Sequence, residues 1–207
     1  MLIVLEGGDG AGTTTLQTGL TKALTSRGYH VTTTHQPNRE TQVGGLIRKI
    51  LASGSLLPPA AMALLFAADR VELSPSLSPE PQAIPEHLGT VPDPIVICDR
   101  HLWSSLVYQA DLGVDWLLEI NKFAVVPDLV VYLRTPTPVA LGRMDGRVLD
   151  GYERDVVLQA SLTDRFDRVF NASRLPKVMI DGTGTPEQVM YRALEAIESY
   201  LEDVEPF

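Results

Sequence analysis

Cysteine is nearly absent from these 207 residues: Cys98 stands alone. That excludes an internal disulfide framework and a cysteine-built zinc site. Long apolar runs are absent as well, and no stretch approaches the ~20 residues that a membrane-spanning helix needs. Met1 leads straight into Leu-Ile-Val-Leu-Glu with no basic segment or cleavage site, so no secretory leader is expected. Positive charge is in deficit. Lys and Arg total 17 against 26 Asp and Glu, a formal charge of −9. A net acidic surface disfavours a nucleic-acid backbone as partner. It leaves open a small phosphorylated ligand, which needs only a local cluster of cations. Hydrophobic residues make up 44% and charged residues 21%, which excludes wholesale disorder. The length suits one domain, 1–207, with a small lid or insert. The expectation is a cytoplasmic protein that binds neither membrane nor nucleic acid.

Short apolar runs alternate with helical patterns. Strands are expected at 1–6, 29–34, 95–98, 128–133 and 178–181. Helices are expected at 14–26, 43–51, 60–73, 102–110, 114–124, 136–144, 155–171 and 186–202. Such alternation implies an α/β fold, with a parallel sheet covered on both faces. Six of the 15 prolines fall within 74–94. They argue against a continuous helix there and for an irregular, exposed connection.

The strongest local signal is the loop 7–15. Gly7 and Gly12 have the spacing of the phosphate-binding pattern GxxxxGK[ST], and Thr14 fills its hydroxyl position. A buried strand precedes it and a helix follows. Glycines allow successive N–H groups to converge on a phosphate, and the helix N-terminus adds partial positive charge. The pattern's lysine is missing, and Thr13 stands in its place. Losing one electrostatic donor from a phosphoryl-transfer site costs about 3 kcal/mol, or roughly 100-fold in rate.

Five segments in order resemble the thymidylate kinase (dTMP kinase) family over nearly the whole length. They are Glu6-Gly-Gly-Asp-Gly-Ala-Gly12, Leu65-Phe-Ala-Ala-Asp-Arg70, Asp99 to Gln109, Pro127 to Leu133, and Asp150-Gly-Tyr-Glu-Arg154. The resemblance implies a P-loop NTPase-like, three-layer αβα domain with a parallel five-stranded sheet. It also implies a small lid at about 142–155 and a homodimer. The implied reaction transfers the ATP γ-phosphate to dTMP, with Mg²⁺. The implied catalytic residues are Asp9, Asp99, Arg100 and Arg147. ATP would lie on Gly7, Gly8, Asp9, Gly10, Ala11, Gly12, Thr13, Thr14 and Thr15, with Arg143 over the adenine. Thr14, Asp9 and Asp99 would serve the metal, and Asp9 would also hold the 3′-hydroxyl of the acceptor's sugar. Phe66 would stack on thymine, and Arg70 would reach a base carbonyl. Arg100 would grip the acceptor phosphate. Ser105, Tyr108 and Gln109 would line the base and sugar, with Asp150 and Tyr152 approaching from the lid. The loop carries Ala11 rather than a base, so the lid would supply the catalytic arginine, and Arg147 is the candidate.

Each role has a plainer rival. Phe66 and Cys98 suit core packing, Arg70 a surface ion pair, Asp9 a turn, and the lid arginines a solvated face. Two departures bear on activity. Thr13 is one. The other is His35-Gln36-Pro37, where the family has Arg-Glu-Pro; Arg39 and Arg48 are the nearby substitutes. These departures leave two further readings open. One is a nucleotide-binding sensor or partner module without transfer, and the other is a kinase for another pyrimidine nucleotide.

Overall fold

The computed structural model describes residues 1–54, 56–77 and 94–204. Five parallel strands are β1 (Leu2–Glu6), β2 (Val31–His35), β3 (Ile95–Asp99), β4 (Leu129–Arg134) and β5 (Lys177–Asp181), in the order β2-β3-β1-β4-β5. The chain leaves β1 toward β3 and β2 on one side and β4 and β5 on the other. The crevice beyond the strand ends beside β1 is therefore a topological switch point.

Side-chain alternation divides the core into two layers. Ile3, Leu5, Ile97, Val131 and Leu133 face α1 (Thr13–Ser26) and α8 (Pro186–Val204), which bring Leu16, Leu20, Leu24, Ala193 and Ile197. Val130 and Tyr132 face the other way, with Trp103 and Val107 of α4 (Leu102–Tyr108) and Leu162 and Phe166 of α7 (Val156–Ala172). Leu2, Val4, Val96 and Cys98 meet Leu73 and Leu77 of α3 (Pro59–Leu77). Helices α2 (Gln42–Ser53), α5 (Val114–Ile120) and α6 (Thr137–Met144), with a 3-10 turn at Ala110–Leu112, complete the described elements. No helix among the described residues is long and apolar enough to cross a membrane.

The expected element order holds, with local corrections. Strand β2 begins at Val31 rather than 29 and is half-exposed, because it forms the sheet edge. Helix α3 runs to Leu77, through Pro75, so the expected irregular connection does not begin at 74. Leu73 and Leu77 bury a full turn against the sheet, and that packing carries the helix past a residue that cannot donate. The remainder of that connection, 78–93, lies outside the described residues.

Candidate active site

A cleft of about 680 Å³ opens at the switch point and collects nearly every residue singled out above. Its floor is the loop between β1 and α1. Gly10 and Gly12 have φ of 74° and 102°, a left-handed backbone that strains other side chains. A Cβ on Gly10 would also overlap the Ala140 carbonyl. Gly12 caps α1 without a side-chain hydrogen bond, which leaves the first-turn N–H groups open toward an anion.

Thr14 and Asp99 meet at the end of this loop. Thr14 Oγ1 donates to Asp99 Oδ2 at 2.6 Å. Asp99 Oδ1 is buried and has no hydrogen-bond partner. Asp9 lies apart from this pair. Its Oδ1 accepts from Arg100 Nη2 and its Oδ2 from Gln159 Nε2, each at 2.7 Å. Both oxygens are engaged, so Asp9 orients Arg100, whereas Asp99 retains an open oxygen.

Arg100 projects from a turn with φ of 70°. It donates to Gly7 O at 3.0 Å and Tyr108 Oη at 3.3 Å, as well as to Asp9. Burial opposes its charge, but Tyr108, Asp9, Asp99 and Glu6 more than offset it, and its pKa rises. The buried Glu6 carboxylate holds this turn. It accepts from the N–H groups of His101 (2.9 Å) and Ser104 (3.2 Å) and from Ser104 Oγ (2.7 Å), which caps α4. Burial raises the Glu6 pKa.

Facing the loop is a second compartment. Arg48 anchors Nε on Pro37 O at 2.9 Å. Burial, then the charges of Arg39 and Arg100, lower its pKa, so guanidiniums cluster here. Burial, then Arg48 and Arg39, lower the His35 pKa, so His35 is neutral near neutral pH and adds no charge. Deeper in, Arg70 is 2% exposed, which removes the surface ion-pair reading. It donates to Asn121 Oδ1 (2.8 Å), His101 O (3.0 Å) and Ser105 Oγ (2.7 Å), while its Nε has no partner. Burial pushes its pKa down to about 10.

Phe66 and Tyr152 stand with ring centroids 6.5 Å apart, and Tyr108 meets Tyr152 edge-on at 5.5 Å. Gln109 Nε2 donates to Tyr152 Oη at 3.2 Å, and its buried Oε1 is unpartnered. Asp150 lines the cleft, but its Oδ1 accepts from the N–H groups of Tyr152 and Glu153 and so shapes the lid turn. Arg147 also lines the cleft, 55% exposed and 3.5 Å from Glu153. The 145–155 segment is turns and coil rather than a helical face.

Two elements escaped the sequence reading. Gln159 holds Asp9 and also donates to Tyr152 O at 3.2 Å, tying phosphate loop to lid. A polar residue in the buried 159–162–166 stripe of α7 was its available signal. The turn after β5 and the first turn of α8 bring Gly184, Pro186 and Val189 to the cleft. Their signal was a glycine turn at a strand's carboxyl end.

Sheet order, glycine loop and two facing compartments define a P-loop nucleotide kinase of the α/β class. The thymidylate kinase family model matches residues 5–192. A Thermococcus onnurineus protein named "Probable thymidylate kinase" is 36% identical over 191 residues, covering 87% of this chain and 88% of that protein. One of the same name from Thermococcus kodakarensis is 33% identical, covering 97% and 98%. Among solved structures, the thymidylate kinase of Candida albicans superposes with a TM-score of 0.76 at 26% identity, covering 96% of this chain and 91% of that one. The chain belongs to the thymidylate kinase family.

Proposed function

We propose that this cleft transfers the γ-phosphate of ATP to dTMP, giving ADP and dTDP. One observation carries the reading. A single cleft sets the Thr14–Asp99 pair and the open α1 N-terminus opposite an arginine cluster that leads to the buried Arg70. ATP phosphates lie in the loop 7–15, with its base toward Arg143 and the turn after β5. Arg100, aimed by Asp9, and Arg48 hold the acceptor phosphate, the latter replacing the charge that His35 lacks. Phe66 supplies a face for the pyrimidine. Arg70 and Ser105, both donors, suit the carbonyl of thymine better than the amino group of cytosine. Tyr108, Gln109 and Tyr152 close on the sugar and base.

No cluster of three His, Cys, Asp or Glu among the described residues holds a metal unaided. Mg²⁺ needs only one or two carboxylates, with substrate phosphates and water supplying the rest. The unpartnered Asp99 Oδ1 beside Thr14 fits that requirement. When bound, Mg²⁺ neutralises phosphate charge. The chain itself orients both substrates, and Arg147, on closing from Glu153, offers charge to the transferring group.

Helix α3 leaves Ala61, Leu64, Ala68 and Val71 along one exposed or half-exposed stripe with three- and four-residue spacing. That stripe suits a homodimer seam. The buried Cys98 suits a reducing, cytoplasmic setting.

ADP release with each pyrimidine monophosphate in turn tests the reading. It should depend on the monophosphate, with dTMP preferred in competition. ADP release that ignores the monophosphate would overturn it.

A further inference from the structure

The phosphate loop has lost its lysine but not its cations. Thr13 is 5% exposed, and its methyl lies against Gly7. It adds no charge. Two guanidiniums close on the loop backbone from opposite ends. Arg100 donates to Gly7 O, but it is also paired with Asp9 at 2.7 Å, so a carboxylate answers its charge. Arg143 is different. Its Nη1 donates to Ala11 O and its Nη2 to Gly182 O, each at 2.8 Å. Both partners are neutral carbonyls. Among the described residues no carboxylate pairs with Arg143, and its charge is unanswered at the helix end of the loop. Arg143 Nη1 stands 3.6 Å from the point that a Cβ on Gly12 would occupy, next to the position that lacks a cation. Arg147 does not compete for this place, being exposed and paired with Glu153.

We propose that Arg143 supplies the positive charge that Thr13 does not, and binds the donor's phosphates rather than only covering its base. The proposal rests on the reading that ATP phosphates lie in the loop 7–15. Two carbonyl bonds hold the guanidinium in place. A phosphate oxygen is a stronger, charge-assisted acceptor, and Arg143 retains further N–H groups to meet it. Its attachment to both Ala11 and Gly182 spans the loop and the turn after β5. One side chain therefore joins the phosphate and base ends of the donor site.

The test is calorimetric titration of the full chain with ATP and, separately, with adenosine, which lacks phosphates. Five proteins are compared: the natural chain, Thr13→Lys, Arg143→Gln, the double variant and Arg143→Lys. Arg143→Gln should weaken ATP roughly tenfold or more while leaving adenosine within about twofold. Thr13→Lys should restore most of that loss in the double variant, because the two cations serve one function. Arg143→Lys, which retains the charge, should hold most of the ATP affinity and guards against misfolding of the Gln variant. Equal losses for ATP and adenosine in Arg143→Gln would overturn the proposal in favour of base cover. So would independent effects of the two substitutions, or an Arg143→Lys as weak as Arg143→Gln. If the natural chain binds ATP no better than adenosine, the phosphate-loop reading falls too, and that result is distinct from base cover.

Discussion

Arg70 shows what one residue does here. Its guanidinium is sealed among Asn121, Ser105 and the His101 carbonyl, with no carboxylate bonded to it. A buried charge held only by neutral acceptors is retained at a stability cost unless a ligand also uses it. Arg70→Ala strands three acceptors and should lower unfolding stability by about 3 kcal/mol in urea titrations. Arg70→Lys keeps charge but loses the fork, and should raise KM for dTMP roughly tenfold with a smaller change in kcat. His101 carries the pH dependence. Both ring nitrogens are buried without partners, and burial, with Arg70 adding, lowers its pKa from 6.5 to about 3. Between those values the unfolded chain takes up a proton that the folded chain refuses. Its contribution to stability is therefore complete above pH 6.5 and is lost as pH falls toward 3. His101→Phe should flatten that loss when urea midpoints near about pH 4.5 and about pH 7 are compared. Glu6 acts in the opposite sense, its raised pKa removing stability as pH rises, but it is common to both chains. Arg70, Ser105, Tyr108 and Gln109 were legible because they sit in ordered motifs. Gln159 was not, because nothing local marks a lone glutamine on an amphipathic helix as the partner of an aspartate 150 residues away.

At the scale of elements, the site depends on helix ends. Helix α2 carries Arg48, and its N-terminus is fastened at several points. Thr41 Oγ1 accepts from Gly44 N, and Glu72 accepts from the N–H groups of Gln42 and Val43. Thr41 Oγ1 also donates to the buried Asp69 at 3.1 Å. Thr41→Ala should cost about 1 kcal/mol of stability and raise KM for dTMP as Arg48 loosens. An unchanged KM would separate the cap from the acceptor compartment. A methyl on Gly44 would overlap the Asn38 carbonyl and the Asp69 carboxylate, so Gly44→Ala should be worse than Thr41→Ala in the same assays. Element types and order were legible because buried parallel strands read as short apolar runs between helical periods. Boundaries were less so. The end of α3 depends on Leu73 and Leu77 meeting Leu2, Val4, Val96 and Cys98, a tertiary contact that overrides the local proline signal.

At the scale of the molecule, the acidic balance outside contrasts with an arginine-rich cleft inside, where Arg39, Arg48, Arg70, Arg100, Arg143 and Arg147 all line one space. Net charge misreports such a protein, since phosphates meet the local field. The exposed α3 stripe belongs to this scale too. The proposed homodimer seam predicts that Leu64→Asp shifts the mass in light scattering toward that of a monomer, and an unchanged mass would remove the stripe from that seam. Sheet order and the two compartments follow from the family pattern. The replacement of the loop lysine does not, because it depends on where Arg143 falls in space. This chain should transfer phosphate with Thr13 in the loop. The measurement is dTDP formation from ATP, Mg²⁺ and dTMP by the natural chain beside Thr13→Lys. The natural chain should form dTDP, and none when dTMP is withheld. No dTDP from the natural chain at high enzyme concentration, with ready formation by Thr13→Lys, would contradict it and leave a nucleotide-binding scaffold without transfer.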